Sequence, residues 1–148
     1  MDLVQKTFAV GLTIPDNEAF TAYETLRRMG LPIGNLRRAT IWAFAVERAA
    51  AAALTGTIAT LEPIFNPNKH ALTERSAARP ELGEVWIAVR DEPPRTTVGG
   101  RTIAGVRRID RLTGWQLFDG DGASVDAAIL DRAVETFLCN PAFQKAIR

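Results

Sequence analysis

Apolar residues alternate with small or polar ones from Thr7 to Ile14: Phe8, Val10, Leu12 and Ile14 fall on one side, Thr7, Ala9, Gly11 and Thr13 on the other. A period of two marks a half-buried β-strand. Pro15-Asp16-Asn17 ends the run, and a carboxylate at Asp16 suits the free amides that open a helix. Ala19, Ala22, Tyr23, Leu26 and Met29 then recur at helical spacing, with Glu18, Glu24, Arg27 and Arg28 on the outer face. Gly30 followed by Pro32 predicts the stop, since glycine tolerates the left-handed cap and proline cannot continue a helix. A second strand runs from Ile33 to Val46, with Leu36, Thr40, Trp42, Phe44 and Val46 on one face and Ile41, Ala43 and Ala45 on the other. Glu47 opens an alanine-rich helix whose stripe is Leu54, Ile58, Leu61 and Phe65. Gly56 weakens this helix, Pro63 breaks or kinks it, and Asn66-Pro67 ends it.

The stretch from Thr73 to Pro80 is polar and reads as a linker. Val85, Ile87 and Val89 alternate in a third strand, closed by Asp91-Glu92-Pro93-Pro94. Thr102 to Arg111 and Trp115 to Phe118 are extended, with Leu112-Thr113-Gly114 as a turn between them. Ser124 caps a final helix in which Val125, Ile129, Ala133 and Phe137 form a stripe broadened by Leu130, Val134 and Leu138, and Asn140-Pro141 ends it.

Laid over one another, the two halves match in order. Val10-x-Leu12-x-Ile14-x-Asp16 answers Val85-x-Ile87-x-Val89-x-Asp91. Ile33-Gly34-Asn35-Leu36-Arg37-Arg38 answers Ile103-Ala104-Gly105-Val106-Arg107-Arg108. Trp42 answers Trp115, and Ile64-Phe65-Asn66-Pro67 answers Leu138-Cys139-Asn140-Pro141. All four separations are about 70 to 75 residues, which points to an internal duplication. The expected fold is α+β: two ferredoxin-like strand–helix–strand–helix half-domains, residues 1–74 and 75–148, packed about a pseudo-twofold into one compact unit. Its antiparallel sheet carries the helices on one face. In the second half, Pro93-Pro94 and Gly99-Gly100 leave no room for a long first helix.

Composition narrows the function. The 148 residues are 47% hydrophobic and 24% charged, ordinary values for a globular chain. Eighteen Lys and Arg against seventeen Asp and Glu give no footprint for nucleic acid or an anionic membrane. No apolar run is long enough to span a bilayer, and the N-terminal residues carry no signal-peptide pattern. One cysteine makes no internal disulfide, and one cysteine with one histidine is a poor kit for zinc. The expectation is a cytoplasmic protein with no metal and no cofactor.

Candidate chemistry is sparse. His70 is the only histidine and lies just past a helix stop beside Lys69, where capping or solvation is the expected role rather than general base. Cys139 sits on an apolar helix, the setting of a structural thiol. Asp119-Gly120-Asp121-Gly122 resembles the start of a calcium loop, but Leu130 stands where the closing glutamate belongs, so a turn is expected. Val98-Gly99-Gly100-Arg101 precedes an extended run rather than a helix, so it reads as a hairpin or loop and not as a phosphate cradle. Trp42 and Trp115 are expected in the core. The repeated pairs Arg37-Arg38 and Arg107-Arg108 are the candidate partner interface, because arginine favours interfaces and bidentate carboxylate contacts; the competing role is a solvated sheet edge.

These segments resemble PurS, the small subunit of phosphoribosylformylglycinamidine synthase. Asp16-Asn17-Glu18-Ala19 stands where that family has Asp-Pro-Gln-Gly, and Met29-Gly30 where it has Leu-Gly. Ile33-x-x-Leu36-Arg37-x-Ala39-Thr40 stands for its Val-x-x-Val-Arg-x-Gly-Lys strand. Leu61 to Pro67, and again Phe137 to Pro141, echo its closing helix and Asn-Pro. The chain departs from the pattern at Asn17 and Ala19, at Ala39-Thr40 and at Ile109-Asp110. PurS subunits pair, so the resemblance implies a covalent version of that pair, with a homodimer of the fused chain left open. It further implies a non-catalytic accessory subunit that bridges the glutaminase subunit and the large synthetase subunit in purine biosynthesis.

Two other readings stand beside it. One is a small regulatory module that senses a nucleotide or an amino acid between its halves. The other is an enzyme built on His70 and a nearby carboxylate.

Overall fold

The computed structural model describes residues 2–148. Alternation begins earlier than the sequence suggests, and β1 spans Leu3–Leu12, with Phe8 and Val10 buried on one side. Asp16 caps α1 (Asn17–Arg28), which buries Ala22 and Leu26, and Gly30 turns the chain at a φ of 89°. β2 (Asn35–Glu47) carries Leu36, Trp42, Phe44 and Val46 on its buried even-numbered side. α2 (Arg48–Ile58) ends a turn before Pro63, so Leu61 and Ile64 enter the core from the turn beyond it.

β3 (His70–Arg75) takes in the first three residues of the stretch expected as a linker. It is paired antiparallel to β1 at one edge of the sheet, and its polarity is that of a strand with one side in water. β4 (Glu84–Val89) follows. The segment that lacks a helix folds instead as a two-stranded hairpin, β5 (Thr97–Val98) and β6 (Arg101–Thr102). Gly99 and Gly100 form its two-residue turn at φ 56° and 77°, a pairing of left-handed positions that fits the twist of a hairpin.

β7 (Val106–Phe118) is continuous, and the expected turn at Leu112-Thr113-Gly114 does not exist. Those residues lie in the antiparallel ladder with β4, where Gly114 stands opposite Trp86. A glycine inside a strand allows close approach of a bulky neighbour as readily as it allows a turn. The last helix, α3 (Ala127–Ala133), is capped by Asp126 and not by Ser124, which is held instead in a bridge to Phe118. It runs into a π-helical turn, Val134–Leu138, and the chain closes in β8 (Gln144–Ile147).

Six strands form one antiparallel sheet in the order β3-β1-β2-β7-β4-β8. With β4, β7 and β8 set against β1, β2 and β3, this order is the same from either edge. The fold is α+β.

The chain divides into two compact units, each drawn from three separate stretches. The first comprises residues 1–14, 40–78 and 92–111, of which Met1 is outside the described residues. Its core sets Phe8, Trp42, Phe44 and Val46 against Leu54 and Ile58 of α2, with Val98 and Ile103 from the hairpin segment. The second comprises residues 15–39, 79–91 and 112–148. Its core sets Leu36, Val85, Ile87 and Leu117 against Leu26 of α1 and against Leu130, Val134 and Leu138.

The residues flanking β2 and β7 are tied down in matching ways, one within each unit. In the second unit the Gly34 amide donates to the Phe118 carbonyl at 2.8 Å. In the first, the Glu47 amide donates to the Gly105 carbonyl, also at 2.8 Å. A Cβ at Gly34 would lie 2.5 Å from the Asp119 carbonyl oxygen, and one at Gly105 would lie 2.5 Å from Cβ of Ala50. Each position is crowded enough that glycine is the residue that fits, Gly34 against backbone and Gly105 against the Ala50 side chain.

Candidate functional site

The four arginines singled out in the sequence occupy different environments. Arg38 is half-buried, at 25% exposure, and reaches the start of α1. Its Nε and Nη2 donate to the two carboxylate oxygens of Asp16 at 3.0 and 3.1 Å, and its Nη1 donates to Glu18 at 2.7 Å. Asp16 Oδ1 also accepts from the amides of Glu18 and Ala19, at 3.1 Å each. One carboxylate therefore caps the helix and anchors β2. Arg37 is exposed and lies over the Phe118 ring at 5.4 Å. In β7 the alternation breaks: Val106 and Ile109 are both buried, and Arg107 and Arg108 between them are both exposed. Arg107 donates to Glu47 at 2.6 Å, and Arg108 binds Asp110 through Nε and Nη2 at 2.9 and 3.2 Å. Such exposed pairs contribute little to stability, and their guanidinium groups stay accessible from solvent.

Burial pushes the Asp16 carboxyl upward. The Arg38 hydrogen bond and charge, with the two amides, outweigh that and hold it below the usual carboxylate value. A depressed native pKa stabilises the fold above the unfolded-state value, and that contribution is lost as pH falls through the native one. Asp16→Asn is therefore expected to flatten the acid side of the stability curve. The fall in urea midpoint between about pH 5 and pH 2 should be shallower than in the parent chain; equal slopes would contradict this. At neutral pH, Asp16→Ala is expected to cost about 1 kcal/mol through the lost cap.

His70 faces no catalytic partner. Its Nδ1 accepts from the Asn66 amide at 2.9 Å, its ring lies 6.3 Å from that of Phe65, and desolvation with the Lys69 charge pushes its pKa down. The imidazole closes the turn that leads into β3. Asp119 Oδ1 accepts from the Asp121 and Ala123 amides at 2.9 and 3.0 Å, so this carboxylate is occupied in making its own turn. Cys139 is half-buried beside the second core, Trp42 lies in the first core, and Trp115 packs against the second. Among the described residues, no three His, Cys, Asp or Glu side chains are placed to hold a metal ion. Among the described residues, no helix is long and apolar enough to cross a membrane.

A cavity that no motif along the chain signals lies in the first unit. Its volume is about 400 Å³, and it opens between the turn after α2 (Thr60, Leu61, Glu62 and Pro63) and the hairpin (Val98, Gly99 and Arg101). Leu61 and Val98 are buried in its floor, while Glu62 and Arg101 are exposed on its two walls. A shallower depression beside it shares Thr60 and Glu62 and extends to Phe65 and Asn66. Gly99-Gly100 between Thr-Val and Arg-Thr signals the hairpin, but nothing local signals that it would face the end of α2.

Set against models of known protein families and against curated proteins, the sequence matches none of them.

Proposed function

We propose that this chain is a non-catalytic accessory subunit, working in the cytoplasm, that bridges the glutaminase and large synthetase subunits of phosphoribosylformylglycinamidine synthase in purine biosynthesis. The observation that carries this reading is the sheet order β3-β1-β2-β7-β4-β8, the same from both edges. Two like halves, residues 1–74 and 75–148, fused in one chain where the family uses two, would lay their strands in an order of this kind.

The arginine pairs bear on how such a subunit would hold its partners. Arg38 is committed to Asp16 and Glu18, whereas Arg37, Arg107 and Arg108 present exposed guanidinium groups to carboxylates of a partner. No part of the role needs a nucleophile, an acid–base pair or a cofactor in this chain.

The test is reconstitution. Tagged protein is expected to retain the glutaminase and synthetase subunits, and glutamine-dependent synthase activity should fall when it is omitted. A triple Arg37→Ala, Arg107→Ala, Arg108→Ala variant should retain them less well. Glutamine-dependent activity that is indifferent to the presence of this chain would end the proposal.

A further inference from the structure

Glu62 and Arg101 line the same cavity, yet neither side chain has a hydrogen-bond or ion-pair partner among the described residues. They do not pair with each other, so their charged atoms lie farther apart than the 4.0 Å of an ion pair. Some arginines elsewhere in this protein are occupied by carboxylates, as Arg95 is by Glu92 and Arg107 by Glu47. A cation and an anion held apart across a concave surface form the electrostatic complement of a zwitterion.

We propose that the cavity between the end of α2 and the β5–β6 hairpin binds a free aliphatic α-amino acid. Arg101 takes the carboxylate, for which its planar fork is suited. Glu62 takes the ammonium group, and the carbonyl end of α2 adds negative potential on the same wall. The Thr60 hydroxyl donates to the Thr57 carbonyl at 2.7 Å, which leaves its oxygen lone pairs free to accept from the ammonium. Leu61, Pro63 and Val98 supply an apolar bed for the side chain. The volume is in the range of small-molecule sites.

Gly99 lines the cavity and adds no side chain to it, and a Cβ there would lie 3.1 Å from Cγ of Pro63. The inference stands apart from the accessory-subunit role, since its readout requires neither synthase partner.

The full-length chain, labelled with ¹⁵N, would be titrated with L-leucine. Saturable shifts are expected at the amides of Thr60, Leu61, Gly99 and Arg101. Glu62→Gln and Arg101→Gln, both at exposed positions, should each weaken binding by about tenfold or more while leaving the rest of the spectrum in place. Isovalerate and isoamylamine, which keep the side chain and one charge each, should bind about tenfold more weakly or not at all. The proposal is overturned if L-leucine leaves these amides unmoved, if its shifts fall elsewhere, if both variants bind as the parent does, or if the singly charged probes bind as well as leucine.

Discussion

Phe44→Ala is expected to lower the free energy of unfolding by about 3–5 kcal/mol, among the largest losses any single truncation of this chain should produce. Phe44 is fully buried and meets Phe8 edge to face, with ring centroids 5.8 Å apart and planes at 74°. It stands between Trp42 and Val46 on the buried side of β2 and belongs to the core that α2 closes with Leu54 and Ile58. Alanine there removes the ring's transfer energy and leaves a void that a strand held by its ladder can fill only in part. Domains of this kind are stable by only about 5–15 kcal/mol, so the loss is a large share of the whole. Urea unfolding followed by tryptophan fluorescence would measure it. A change under about 1 kcal/mol would mean that the first core is not packed as described.

Gly34→Ala is the second. Residue 34 is exposed, and by exposure alone the change should be harmless. The added Cβ, however, would lie 2.5 Å from the Asp119 carbonyl oxygen and 2.7 Å from the Gly120 Cα, both backbone atoms that no rotamer change can move aside. The strand entry must shift, at the expense of the Gly34–Phe118 hydrogen bond, and a loss of about 1–3 kcal/mol or more is expected. Gly56→Ala provides the control. Gly56 lies within α2 with nothing within 4 Å of its Cβ position, so alanine should stabilise the protein by about 0.5–1 kcal/mol. If both variants moved in the same direction, the close approach at Gly34 would be refuted.

Much of the fold is legible in the sequence because its signals are local. Asp16 caps α1, Gly30 ends it, and the alternation marks Leu36, Trp42, Phe44 and Val46 of β2 as buried, although Ile41 and Ala43 on its other side, and both sides of β4 at Val85 and Trp86, are buried as well. Where a local signal served two ends, the reading went astray. Gly114 resembles a turn residue, but it lies in the ladder with β4, opposite Trp86. Ser124 and Asp126 are both good helix caps, and the choice fell to Asp126 because Ser124 is held in a bridge to Phe118. The polarity of residues 70–75 reflects the edge position of β3, and edge position is a property of the assembled sheet.

The candidate sites divide in the same way. The repeat marks the four arginines, but only tertiary structure assigns Arg38 to the cap of α1 and leaves the other three exposed. The cavity depends on which element faces the end of α2, and no pattern along the chain encodes that. Its two unpaired charges belong to segments far apart in sequence.

The interleaving of the two units also sets the order in which the protein can be completed as it leaves the ribosome. The first unit has all its segments once Arg111 has emerged. The second does not, because Leu26 of α1 shares a core with Leu130, Val134 and Leu138, which are made about a hundred residues later. Until they emerge the core around α1 is incomplete, a condition in which nascent chains are exposed to aggregation. Arg38 arrives soon after α1, so the Asp16 clasp is available to hold the helix by its polar end while its apolar side waits.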